Sequence, residues 1–231
     1  MFILSMGSCR TDGPSQRMGV PNCGLSGRYA TGDHVQGLEI LRRERIVPPE
    51  LQRHVFFGTP VPDRYQLLLD LSTVQIDRVI LEVCRKHSFL KEGWILMNHK
   101  KDATQPQLEG VQALEESPEV MKQNLDLLRE RVGGCPMLIT SPPTCFGVPT
   151  WYEIAATVSN WCQTRGQTYF DPSLLAIRHG RSQCFENNGQ DIYHFTDFMH
   201  HRIADVYRDW IAHPELNMHT WRTTLSERRS P

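Results

Sequence analysis

The sequence predicts a three-layer α/β/α sandwich built on a central, mostly parallel sheet. Three observations predict it. Short apolar runs of strand length recur along the chain, at Phe2–Met6, Asp77–Cys84, Pro136–Thr140 and Thr168–Phe170. Between them lie stretches with helical spacing of apolar residues, and the connections carry Gly, Pro and Ser. Strands that alternate with helices across short turns form parallel sheets with helices on both faces.

The first run ends abruptly at Gly7-Ser8-Cys9-Arg10. As the first strand of a parallel sheet it delivers Ser8 to the strand's carboxyl end, where open α/β sheets bind ligands. Gly7 is expected there for the freedom of its backbone in a sharp turn. Residues 11–33 are rich in Gly, Pro, Ser and Asn and read as a long loop. His34 to Ile46 carries a helical pattern, stopped at Pro48-Pro49. His54 to Pro60 reads as a short strand or buried loop, and Asp63 to Leu71 as a short helix. Asp77 to Cys84 is the central strand, β-branched and almost continuously apolar.

Residues 88–116 read as an insertion or lid, with Gly93 to Met97 as an added strand. Ser117-Pro118-Glu119 opens a helix, with Ser117 as N-cap and Pro118 at the first helical position, that runs to about Val132 and stops at Gly133-Gly134. Trp151 to Thr164 is a further amphipathic helix, ended near Gly166. The C-terminal helix is capped by Thr196 or Asp197, and beyond His213-Pro214 the tail is polar. The domain is expected to span 1–212, with 213–231 as a tail of poor order.

Composition narrows the function. The 231 residues are 39% hydrophobic and 22% charged, with a formal net charge of −1, which gives no electrostatic case for nucleic acid or an anionic membrane. No run approaches the roughly 18 apolar residues of a membrane span, and the N-terminal run lacks the basic flank and length of a signal peptide. A cytoplasmic protein is expected. Its seven cysteines are odd in number, scattered and without a CxxC pair, which argues against a disulfide framework and a zinc knuckle and points to free thiols. No glycine-rich phosphate loop follows the first strand. His200 and His201 read as surface histidines of the last helix rather than as metal ligands, and neither metal nor cofactor is expected.

Ser8 therefore needs partners. A serine hydroxyl is a poor nucleophile at neutral pH and requires a base within hydrogen-bond reach. That base requires a group to fix its tautomer. Asp191 and His194, spaced D-x-x-H just before the last helix, supply both from one turn, although the same pattern also serves as capping chemistry.

The pattern resembles the SGNH-hydrolase superfamily, the GDSL-type esterases and lipases with a flavodoxin-like sheet. It is most similar to members with a Gly-Ser-Cys nucleophile block. The resemblance implies that Ser8 is the nucleophile, His194 the general base and Asp191 the carboxylate that orients it. It also implies an oxyanion hole. Cys9 adjoins the nucleophile, and Gly58 in Phe57-Gly58-Thr59 stands where the family's glycine donor is expected. The Gly-x-Asn-Asp block is absent; Cys84-Arg85-Lys86-His87 occupies the equivalent strand end, and Asn98, Arg85 or His87 is the candidate substitute donor. The implied function is a serine-dependent esterase or O-acyltransferase for a small ester or acylated sugar. The alternative is a binding protein that keeps the fold without catalysis.

Overall fold

The computed structural model describes residues 1–19, 22–26, 29–55, 70–96 and 109–215. Five strands form the central sheet: β1 (Ile3–Gly7), β2 (Asn22–Ser26), β3 (Arg78–Glu82), β7 (Met137–Thr140) and β8 (Thr168–Phe170), in the order β2-β1-β3-β7-β8. Every neighbouring pair is parallel.

The sheet is buried on both faces because its strands are apolar at successive positions, not alternate ones. Leu4, Met6, Val79, Leu81, Met137 and Ile139 point into one cluster. There they meet helices α2 (Thr31–Leu41), α4 (Pro118–Arg131) and α5 (Pro149–Arg165), through residues such as Leu38, Leu125 and Val158. Ile3, Ile80, Leu138 and Phe170 point to the opposite cluster, against Met199, Ile203, Tyr207 and Trp210 of the C-terminal helix Asp197–Ala212. This is the three-layer sandwich that the sequence predicts.

Several local expectations hold for the reasons given. Ser117 caps α4, its hydroxyl accepting the Val120 N–H, with Pro118 in the first turn. Gly166 ends α5 in the left-handed conformation, and Thr196 caps the last helix by accepting the Met199 N–H at 3.2 Å.

Others need correction. Residues 11–33 are not one loop: α1 (Cys9–Gln16) starts directly after Ser8, β2 follows, and α2 begins at Thr31. α1 escapes a search for apolar periodicity because its buried residues are Arg10, Thr11, Pro14 and Ser15. α2 ends at Leu41, short of Ile46, and Arg43 takes a positive φ of 59° just after it. Pro49 opens the next helix, α3 (Pro49–Val55), so His54 and Val55 are helical. Residues 56–69 lie outside the described residues, and with them most of the two elements expected there.

The described part of 88–116 belongs to a small antiparallel sheet, order β5-β4-β6, formed by β4 (His87–Lys91), β5 (Trp94–Leu96) and β6 (Gln112–Glu115). Trp94 and Leu96 pack with Ile40, Val47, Leu51 and Val55 in a third apolar cluster, which ties this sheet to α2 and α3.

Candidate active site

β1 and β3 are neighbours in parallel register, with Met6 opposite Leu81. The next residues therefore meet at the carboxyl edge: Ser8 caps α1 above β1, and Glu82 closes β3. Gly7 is needed here for space and not for an unusual backbone angle. A Cβ on it would lie 2.5 Å from Thr11 Oγ1 and 2.8 Å from Glu82 Cβ.

Glu82 is 1% exposed, and a carboxylate buried that far is tolerated only when charge and hydrogen bonds compensate it. Here both do. Oε2 accepts the Ser8 N–H at 2.9 Å, the Ser8 hydroxyl at 2.5 Å and the Thr11 hydroxyl at 3.1 Å. Oε1 pairs with Arg10 Nε at 2.7 Å, and Arg10 is itself 8% exposed. The Glu82 backbone carbonyl accepts from Nε2 of the buried His34 at 2.7 Å. The beginning of α1 is thus locked onto the end of β3 by a buried polar network. Sequence reasoning missed Glu82 as a site residue. The available signal was a single carboxylate closing the apolar run Val79-Ile80-Leu81.

His194 approaches from β9 (Asp191–Phe195), which is tied back to the preceding turn by bridges between Phe185 and Phe195 and between Glu186 and Asp191. Its Nδ1 pairs with Asp191 Oδ2 at 2.8 Å, while Asp191 Oδ1 accepts the N–H groups of Tyr193 and His194. The hydrogen bond from His194, and after it that from the Tyr193 N–H, holds the Asp191 carboxyl below the usual carboxylate range. Tyr193 fixes the segment against α5 by an edge contact with Trp151, ring centroids 5.8 Å apart.

Ser8 and His194 line one cleft of about 320 Å³. Cys9, Arg10, Cys84 and Arg85 line it as well, and the Tyr29, Trp151 and Tyr193 rings complete its lining. Among the described residues no hydrogen bond joins Ser8 to His194, since the serine hydroxyl is engaged by Glu82. Of the other sequence candidates, Arg85 lines both the cleft and a smaller pocket that it shares with Asp33 and His87, whereas His87 lines only the smaller one and lies 3.9 Å from Glu115. Gly58 and Asn98 lie outside the described residues.

Cys9 is the competing nucleophile in the same cleft. Burial and the charge of Glu82 push its thiol pKa up, and the same two causes push Cys84 strongly up. A thiol acts as the thiolate, so both cysteines are poorly suited to attack at neutral pH. Among the described residues no group of three or more His, Cys, Asp or Glu side chains could hold a metal ion, and no helix is long and apolar enough to cross a membrane.

Neither a family model nor a curated protein matches the sequence. Similar solved structures exist. A protein described as an SGNH hydrolase from Slackia heliotrinireducens superposes with a TM-score of 0.51 at 13% identity, over 91% of this chain and 98% of that one. TesA gives 0.49 at 11% identity, over 94% and 100% of the two chains. The acetyl xylan esterase Est2A from the rumen bacterium Butyrivibrio proteoclasticus gives 0.46 at 11% identity, over 92% and 64%. At these identities the likeness speaks for architecture alone, and the first of them carries it: the α/β fold of this chain is that of the SGNH hydrolases.

Proposed function

We propose that the protein is a serine-dependent acyl-ester hydrolase or O-acyltransferase for a small ester or acylated sugar. The observation that carries this reading is that His194, paired with Asp191, lines the same cleft as Ser8 at the carboxyl edge of the sheet. His194 Nε2 takes the Ser8 proton as Oγ adds to the ester carbonyl. The tetrahedral intermediate collapses, the ester C–O bond breaks, and the proton passes from His194 to the departing alkoxide. Water or a second alcohol then attacks the acyl-enzyme by the same route, with His194 again as base.

Asp191 holds the imidazole tautomer with its proton on Nδ1 and stabilises the imidazolium that forms. The Ser8 N–H is the first oxyanion donor in this scheme. For attack to occur, the Ser8 hydroxyl must exchange Glu82 for His194, and its N–H must turn from Glu82 to the substrate oxygen. The Tyr29, Trp151 and Tyr193 rings offer flat apolar surface to an acyl chain or sugar ring. Labelling by a fluorophosphonate probe, on wild type and on Ser8→Ala and His194→Ala, tests the scheme. Strong labelling of wild type alone is expected.

A specific observation favours a second reading, a binding protein without catalysis. Both groups of Ser8 that the reaction needs are already taken by Glu82. A folded wild type that neither labels nor turns over p-nitrophenyl acetate decides for it.

A further inference from the structure

We propose that the cleft takes a ligand bearing an anionic group, a carboxylate, phosphate or sulfate, which pairs with the Arg85 guanidinium beside Ser8. The proposal deepens the reading of this cleft as an acyl-ester site: the substrate class becomes an anionic ester.

The charges around the cleft carry the argument. Two arginines, Arg10 and Arg85, line it, and no lining side chain is a carboxylate among the described residues. Arg10 Nε is matched by Glu82, yet its Nη1 is buried with no hydrogen-bond partner. Arg85 has no carboxylate partner among the described residues. The next cation along the chain, Lys86, instead binds Glu115 and Glu153 at 2.7 and 2.8 Å. Glu115 and Glu153 thus serve Lys86, and Glu82 serves Arg10. Asp33, which shares a smaller adjoining pocket with Arg85, accepts the N–H groups of Tyr29 and Ala30. Among the described residues none of these carboxylates forms an ion pair with Arg85.

Arg85 is also held in place. The Tyr29 carbonyl accepts the N–H groups of both Cys84 and Arg85, at 2.9 and 3.1 Å. The guanidinium then lies 4.4 Å from the Tyr29 ring centroid. Stacking on an aromatic face orients the planar guanidinium while leaving its N–H edge available. Burial raises the Tyr29 phenol to a pKa of about 12, so the ring is a neutral platform at physiological pH and not the missing counter-anion. A pre-oriented guanidinium with a free edge suits a two-pronged oxyanion such as carboxylate or phosphate.

The test uses ligands without a scissile acyl ester, so it stands whether or not Ser8 proves reactive. Benzoate, phenyl phosphate, phenyl sulfate and uncharged benzamide are titrated into wild type, Arg85→Gln and Arg85→Lys, by calorimetry or ligand-observed NMR. At least one anion is expected to bind wild type about tenfold or more tightly than benzamide, as one charge-assisted contact warrants. That preference should collapse in Arg85→Gln, persist in part in Arg85→Lys, and weaken in high salt. The favoured anion identifies the group. Equal binding of benzamide and all three anions, no binding of any anion at millimolar concentration, or an undiminished preference in Arg85→Gln overturns the proposal. Unchanged benzamide affinity in the variants separates loss of the anion contact from a damaged cleft.

Discussion

Glu82 Oε2 holds Ser8 twice, accepting its backbone N–H at 2.9 Å and its hydroxyl at 2.5 Å. Through Oε1 the same carboxylate neutralises Arg10. The contact is therefore structural as well as chemical, because it fixes the first turn of α1 above the sheet. Replacing Glu82 by Gln leaves the shape but strips the buried Arg10 of its counter-charge. Breaking one half of a buried ion pair costs about 3–5 kcal/mol. Urea unfolding of Glu82→Gln should show a loss of this order, and an unchanged midpoint would mean that the network contributes nothing to stability.

Gly7 gives an independent check on the same packing. A methyl group there must displace the Thr11 side chain or the Glu82 stem, both within 3 Å of the added carbon. Overpacking of this kind costs about 1–3 kcal/mol. Gly7→Ala should lower the thermal midpoint, and a silent substitution would show that α1 sits further from β3 than described.

The exposed pair of Asp191 and His194 predicts a titration effect. The Asp191 carboxyl is depressed first by the His194 side chain and then by the Tyr193 N–H. In His194→Ala the Asp191 pKa should rise towards the ordinary value yet stay somewhat below it, because the backbone donor remains. Carbon-detected NMR of the carboxyl group reads this directly, and no movement would separate Asp191 from His194 in solution.

His200 makes stability depend on pH. Burial, followed by the charge of Arg17, lowers its pKa from 6.5 to about 4, against opposing help from Asp197. Between those values the unfolded chain binds more protons than the folded one, so stability rises with pH through this window and is lost as pH falls through it. His200→Gln should flatten the stability profile between about pH 6.5 and 4. A profile with the same slope would remove His200 as its source. The expectation of a solvated His200 fails because its ring lies against Gly13 of α1, where an added Cβ would come within 2.8 Å of it.

How much was legible in the sequence follows from where the signals lie. β1, β3, β7 and β8 are continuous apolar runs because both faces of the sheet are covered, and α4, α5 and the last helix carry caps or apolar faces that announce them. Ser8, Asp191 and His194 could be picked out as candidates by residue type and spacing, and Ser8 and His194 line one cleft. α1 could not, because it buries Arg10, Thr11 and Ser15 through hydrogen bonds and charge, and so has no apolar stripe. Glu82 was hidden for the same reason: its partners at Ser8, Arg10 and Thr11 are more than 70 positions away. Burial of charge is a tertiary property, visible only once β1 and β3 are side by side.

The most direct test of the central claim is to trap the acyl-enzyme. Wild type and Ser8→Ala are mixed with p-nitrophenyl acetate, quenched in acid, and digested for peptide mass spectrometry. The account predicts a burst of nitrophenol and an acetyl group on the peptide containing Ser8 in wild type, and neither in the variant. An acetyl group on Cys9 with Ser8 unmodified, or equal turnover by Ser8→Ala, would contradict it.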